Sequence, residues 1–364
     1  MPRLPATILF LMVLVPALAP APAALAEPPS AKSFRHWTAA CDNQRRCSAF
    51  GFATLLDETM TGAWIRLDRG GGGDDAPSIE AAFATAEGGD DTPASLTLSE
   101  RGGPSFGPIP VEEADGFYRA VLPAADVPAV LKLLRSADFL AVAATTSSGG
   151  AIEATLSLDG ASAALLWIDD EQQRLDTVTA LVRQGTKPAA AVPPVRALPV
   201  VTVAPATREV EQVLPAAIRD LASDGDCADT MDRIEPIVGD LGGGRMLYGA
   251  LCGAGAYNFA AQFWIVAGGA TPAPATFPVP RGLMAVEDDG DDPETLGILV
   301  NPFFDEKSMS VHSFAKGRGF GDCGSEGEWA WDGSAFRLVR YALMIECEGV
   351  PSSDWPVLYR ATVR

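Results

Sequence analysis

Cys323 and Cys347 bracket a stretch in which two alternating apolar runs meet at Asp332-Gly333, and this arrangement constrains the fold more than any other part of the chain. Trp329 and Trp331 alternate with Glu328, Ala330 and Asp332, and Phe336 to Ile345 runs out as a second strand. Asp-Gly between such runs predicts a two-residue hairpin turn, because both residues tolerate positive φ. A disulfide between the two cysteines would staple the hairpin just outside its strands.

All six cysteines (Cys41, Cys47, Cys227, Cys252, Cys323 and Cys347) follow a leader-like N-terminus. Residues 1–26 have Arg3 as a short positive region, an apolar core from Ile8 to Val15, and Ala24-Leu25-Ala26 before Glu27. This reads as a secretory signal peptide cleaved after Ala26, which puts the mature chain in the periplasm or outside the cell. An even cysteine count after a leader reads as disulfides; sequence alone does not fix their connectivity, and sequence neighbours favour Cys41–Cys47, Cys227–Cys252 and Cys323–Cys347. The two longer loops would each contribute roughly 3–4 kcal/mol on the chain-entropy account. No C-x-x-C pair is present, which argues against a redox-active dithiol. No later stretch holds about 18 uninterrupted apolar residues, so no membrane span is expected in the mature chain. The formal charge of −20 repels nucleic acid and anionic lipid.

The pattern predicts an α+β fold, mainly antiparallel β, in two domains. Residues 27–186 read as a β-sandwich-like domain with one or two helices. Its strands are expected at Phe34 to Cys41, Ser48 to Leu55, Trp64 to Leu67, Ile79 to Thr85, around Leu96 and Leu98, Gly116 to Leu122, Ala137 to Ala144 and Ala151 to Leu158. Gly70 to Pro77 reads as a flexible turn. Val127, Val130, Leu131 and Leu134 fall at helical spacing behind Asp126 and Pro128, and a second helix is expected within Asp159 to Ala180. Residues 187–205 hold five prolines and read as a semi-rigid extended linker. Residues 206–364 should open with helices, one from Thr207 and one over Asp229 to Val238. A loop at Gly239 to Gly244 and the disulfide-stapled antiparallel sheet then follow.

With these residues in view, the chain resembles the exported bacterial proteins grouped as domain of unknown function 1176. The likeness rests on FRHWTAACDNQRRCSAFGF, on LSLDGASAALLWIDDEQQRLDTVTALVRQGTKPAAAVP, on CGAGAYN, and on GRGFGDCGSEGEWAWDGSAFRLVRYALMIECEGVPSSDWPVLYRATV. It covers nearly the whole mature chain and implies no activity. The W-x-x-x-C opening and LDGASAALLWID also look like the invasion-associated locus B proteins, a likeness confined to the first domain that implies a β-sandwich.

Candidate chemistry is sparse. Gly103-Pro104-Ser105-Phe106-Gly107 matches G-x-S-x-G, but a nucleophile elbow needs a strand before it and a helix after it, and prolines follow here, so a turn is expected. His36 and His312, the only histidines, are isolated and leave neither a base for that serine nor a zinc site. The run from Glu287 to Glu294 could offer calcium the hard oxygens of Asp288, Asp289, Asp291, Asp292 and Glu294, although it lacks EF-hand spacing and a solvated loop is its plain reading. Gly242-Gly243-Gly244-Arg245 lacks the P-loop Lys-Ser/Thr, and Gly253 to Asn258 reads as a turn; Arg245 and Asn258 are the groups there to test. Trp329, Trp331 and Trp355 would pack within a sheet on the plain reading, or form an exposed aromatic platform flanked by Arg337 and Arg340 on the functional one.

The expected function is therefore a non-enzymatic binding module of the periplasm, acting through its aromatic C-terminal sheet on an envelope protein or glycan. It would have no cofactor and no nucleic-acid partner. The alternatives are a calcium-binding envelope protein using residues 287–294, and an envelope hydrolase whose two carboxylates lie far apart in the chain yet face each other across a cleft.

Overall fold

The computed structural model describes residues 30–55, 60–85, 92–114, 117–203, 210–224, 227–279 and 295–364. The expected leader, residues 1–26, and the candidate calcium ligands Asp288, Asp289, Asp291, Asp292 and Glu294 lie outside them. Within the described residues the chain is mostly antiparallel strand with three α-helices.

The first half begins with β1 (Ser30–Phe34), β2 (Trp37–Cys41), β3 (Cys47–Leu55), β4 (Met60–Arg69) and β5 (Ser78–Thr85). Next come β6 (Pro93–Ser99), β7 (Ser105–Pro110), β8 (Glu112–Ala114) and β9 (Phe117–Val121). Helix α1 (Val127–Ser136), β10 (Phe139–Thr146), β11 (Ala151–Ser157) and α2 (Ala161–Glu171) complete it. The strand expected over Phe34–Cys41 is broken, because Arg35 takes φ 58° and Arg35-His36 becomes the turn of the β1–β2 hairpin. The sheet runs β7-β6-β10-β11-β3-β4-β5-β9-β8, with β2 also on β3. Its two end strands are separated in the chain by Val111 alone, so the sheet bends round until its ends meet. Leu96, Leu98, Leu140 and Val142 thereby share one core with Trp37, Ile65, Leu67 and Phe83, and Val130, Leu134, Leu165 and Ile168 of the two helices close it. Each such buried side chain stabilises by about 1.5–3 kcal/mol. Gly51 is forced by this packing, since a Cβ there would lie 2.6 Å from the Trp37 ring. Gly160 has φ 104°, and a Cβ would strike the Phe34 carbonyl, which accounts for the glycine in LSLDGASA.

The second expected helix stops at Glu171, where Gln173 turns to φ 55° and Arg174 swings inward. Arg174 is fully buried and donates to Gln172 Oε1 at 2.8 Å, Gly73 O at 2.7 Å, Thr179 Oγ1 at 3.0 Å, and to the carbonyls of Gly70 and Gly72. The glycine run expected to be a flexible turn is thus clamped by a buried guanidinium. Residues 187–199 are tied in the same manner, with Arg45 donating to the Pro193 and Pro194 carbonyls at 2.6 and 2.8 Å. β12 (Val200–Val201) then follows.

In the second half α3 (Ala216–Ser223) is shorter than the helix expected from Thr207, since residues 210–215 are not helical and Pro215 precedes its first turn. Residues 229–236 form turns rather than a helix, and β13 (Ile237–Gly242) occupies the expected loop, pairing with β14 (Arg245–Ala254). β15 (Phe259–Ala267), β16 (Ala273–Pro274), β17 (Phe277–Pro278), β18 (Thr295–Leu296), β19 (Ile298–Val300) and β20 (Phe303–Asp305) follow. Last come β21 (Ser310–Lys316), β22 (Gly324–Trp331), β23 (Phe336–Met344), β24 (Val357–Arg360) and β25 (Thr362–Val363). β13-β14-β15-β16, with β19 on β15, form one sheet and β20-β21-β22-β23-β24 another, and both feed one core around Phe263, Phe277, Trp329, Trp331 and Phe336. β12 pairs in parallel with β25. The halves meet where Phe50, Trp64 and Ala82 of the first pack with Met344, Val350 and Trp355 of the second.

The Asp-Gly hairpin forms, but its connection is the four residues Asp332 to Ala335 and not the expected two-residue turn. Only Gly333 has positive φ, at 91°. Asp332 instead accepts from Ser334 N and Ala335 N at 2.8 Å, Ser334 Oγ at 2.6 Å and Arg337 Nε at 2.6 Å. Burial alone would raise this carboxyl, but those donors outweigh it and hold it far below its ordinary value of 3.8. A depressed native pKa stabilises fully above the unfolded value and is lost as pH falls below it. Asp332→Ala should therefore lower stability by about 1–3 kcal/mol at neutral pH, with the two proteins converging as urea titrations are taken well below pH 3.8.

Candidate functional site

The site is assembled around the Cys41–Cys47 loop. The two cysteines are direct partners across β2 and β3 and form one disulfide. Asp42 Oδ1 accepts from Gln44 N at 2.8 Å and Arg46 N at 2.9 Å, so the loop is folded around its own carboxylate. This loop grips the end of the chain: Asn43 Nδ2 donates to Arg360 O at 2.9 Å, Arg360 N donates to Asn43 Oδ1 at 3.0 Å, and Arg360 Nε lies 3.1 Å from Asp42 Oδ2. Burial pushes the Asp42 carboxyl up, and the two N–H groups and Arg360 partly offset it.

Between that loop, β4, the clamped glycine run and residues 353–357 lies a cleft of about 710 Å³. Its floor is an ion network joining the halves. Arg66 lies 2.7 Å from Asp68, 3.4 Å from Glu80 and 3.2 Å from Asp354, and Arg119 lies 2.5 Å from Asp354 and 4.0 Å from Glu80. Burial opposes the Arg66 charge, yet Asp68, Glu80 and Asp354 outweigh it and hold the guanidinium above its ordinary range. Burial likewise pushes the Glu80 carboxyl up, against the pull of Arg66 and Arg119. Arg69, beside Arg174 in the wall, is pushed down to about 10 by burial and by that neighbouring charge. Ser48 Oγ donates to Asp68 at 2.5 Å.

The sequence-based candidates lie elsewhere or are already engaged. Trp329, Trp331 and Trp355 are 1%, 2% and 2% exposed, which corrects the expectation of an exposed aromatic platform. Trp329 packs on Phe277 and donates to Pro278 O at 2.6 Å, Trp331 packs on Phe336, and Trp355 packs on Phe314 and donates to Val350 O at 3.0 Å. The opposite face of β22 is covered too, because Ala330 and Val339 meet Val201. Arg337 pairs with Asp332, and Arg340 pairs with Glu326 at 2.8 Å.

The three disulfides are Cys41–Cys47, Cys227–Cys252 and Cys323–Cys347, and they leave no cysteine free. Ser105 is exposed at the start of β7, with a strand and not a helix after it; the expected turn ends just before it, at Pro104. His36 is exposed in the β1–β2 turn, and His312 stacks on Phe303 at 4.4 Å. Asn258 donates to Lys316 O at 2.9 Å and accepts from Asn301 at 2.8 Å, a structural pin between sheets. Among the described residues no cluster of three or more metal-ligating side chains occurs, and no helix is long and apolar enough to cross a membrane. Sequence reasoning missed Arg66, Asp354 and Arg46 altogether. The signal that could have pointed to Arg46 is the DNQRRC run within the Cys41–Cys47 loop; nothing local marks Arg66 or Asp354.

The family model described as Protein of unknown function (DUF1176) matches residues 31–362. The Uncharacterized protein YpfG of Escherichia coli (strain K12) is 30% identical over 359 residues, covering 91% of this chain and 93% of that protein. No solved structure matches the chain. Nothing in these comparisons carries a likeness to the invasion-associated locus B proteins.

Proposed function

The chain belongs to the family described as Protein of unknown function (DUF1176), and from that premise we propose that it is an exported, non-enzymatic binding protein whose ligand sits in the cleft between its halves. The leader-like N-terminus and the pairing of every cysteine support export. One observation carries the binding reading: a polar cleft of about 710 Å³ walled by segments that are almost 300 residues apart in sequence, within the size range of about 300–1,000 Å³ usual for ligand sites. The aromatic sheet offers no such surface, since its indoles are core.

The hydrolase alternative has carboxylates opposed from distant segments, Asp68 and Glu80 against Asp354. All three surround Arg66, and Arg119 reaches Glu80 and Asp354 as well. That arrangement favours holding the halves together over proton transfer, because acid–base work needs one carboxyl kept protonated and the other free to act.

Capture from native envelope extract by the oxidised mature protein tests the binding reading, with Arg46→Glu in the cleft and Phe320→Ala outside it as comparisons. Phe320 is 87% exposed and does not line the cleft. The expected result is a component retained by the parent protein and by Phe320→Ala and lost with Arg46→Glu. Equal retention by Arg46→Glu would remove the cleft as the site, and retention of nothing specific by any bait would remove the binding function.

A further inference from the structure

We propose that the cleft recognises the free α-carboxylate at the end of a peptide, seated on Arg46. This deepens the binding reading and rests on it.

Most of the charges in the cleft are already matched. Asp42 is matched by Arg360, Asp68 by Arg66 and Ser48, and Asp354 by Arg66 and Arg119. Asp75 accepts from Gly72 N at 2.7 Å. Arg69 donates to the Asp75 and Thr179 carbonyls at 3.1 and 2.5 Å and lies 3.9 Å from Asp169. Arg46 remains. It is exposed and lines the cleft, and among the described residues its guanidinium has no ion pair and no hydrogen bond. An arginine fork beside unfilled space is suited to a carboxylate, which it can bind through two parallel hydrogen bonds.

The same walls select the kind of anion. Four aspartates (Asp42, Asp68, Asp75 and Asp354) and four arginines (Arg46, Arg66, Arg69 and Arg360) line the cleft, so it holds no excess of positive charge to attract a dianionic phosphate or a nucleic-acid backbone. A single negative charge matches the single unmatched cation. The remaining lining suits the body of a peptide. Ser78 and Ser353 present exposed hydroxyls with no protein partner among the described residues, available to backbone amides. Val195, 44% exposed, with Ala76 and Val357, offers a short apolar shelf on which small side chains can rest. A free small carboxylate would leave both the hydroxyls and the shelf unused.

The probes are N-acetyl-tri-alanine and its C-terminal amide, which differ only in the terminal charge, with acetate as the free-anion comparison. Binding to the oxidised full chain is read by calorimetric titration to about 10 mM ligand. The acid is expected to bind, with the amide weaker by at least about tenfold. Arg46→Glu should abolish acid binding while Arg46→Lys keeps part of it, both with unchanged thermal melts because residue 46 is exposed. Acetate should show no heat over the same range.

Equal binding of acid and amide, no binding of either, acetate binding as tightly as the acid, or an Arg46→Glu protein that binds like the parent would each overturn the carboxylate assignment. Failure of the peptide probes together with successful, Arg46-dependent capture from extract would leave the cleft in place as a binding site and discard only its ligand class.

Discussion

Trp329→Ala and Trp331→Ala should each lower stability by about 3–5 kcal/mol, and the pair together should abolish a cooperative urea transition. Both indoles are essentially inaccessible, truncation of a buried tryptophan leaves a cavity that its neighbours only partly fill, and whole domains are stable by only about 5–15 kcal/mol. Trp329 carries a further cost, since its loss leaves the Pro278 carbonyl without the 2.6 Å indole donor. Urea titrations of the single variants, with Trp329→Phe as a volume-sparing control, check this. Single variants whose midpoints match the parent protein would show that the tryptophans are surface groups after all.

Arg174→Leu should be comparably severe, at about 3–5 kcal/mol. The side chain is fully buried and holds the carbonyls of Gly70, Gly72 and Gly73 together with Gln172 Oε1. Leucine takes this donor from all four, leaving Gly70 O with Gln172 Nε2 at 3.0 Å and Gly72 O with Asp75 N at 3.0 Å. Arg174→Lys should recover only part of the loss, because one ammonium cannot reach a set of acceptors spread across a planar fork. Two readings separate a clamp from a general packing role: the urea midpoint, and limited proteolysis between Gly70 and Ala76. The variant should be nicked there before it unfolds globally. An unchanged midpoint with an intact loop would contradict the clamp.

What could be read from the chain beforehand was local. The spacing of Val127, Val130 and Leu134 gave α1, the Leu96–Leu98 alternation gave β6, and the nearest-neighbour cysteine pairing is the one observed. Each depends on a repeat or a loop shorter than about thirty residues. What escaped was set at long range. Alternation in β22 marks which side chains share a face, but it cannot show that Val201 covers the opposite one. A glycine run looks flexible until a guanidinium about a hundred residues later takes up its carbonyls. The helix after Gly160 ends not for want of apolar spacing but because Arg174 has a better use inside the fold. The cleft was invisible for the same reason, since Arg66 and Asp354 are 288 residues apart.

The parallel pairing of β12 with β25, and the grip of the Cys41–Cys47 loop on Arg360, are contacts that form only after very long loops have closed. Asn43 and Asp42 reach Arg360, and Val200 and Val201 reach Thr362 and Val363, so these contacts wait for residues about 160 to 320 positions later in the chain. Val201 has no strand beside it before Thr362 and Val363 arrive. Asp42 lacks its guanidinium until Arg360 does. The buried residues of the first core all lie between Trp37 and Leu181, so that half can collapse on its own, while the wall that Arg360 supplies to the cleft is completed only when the distant segment docks.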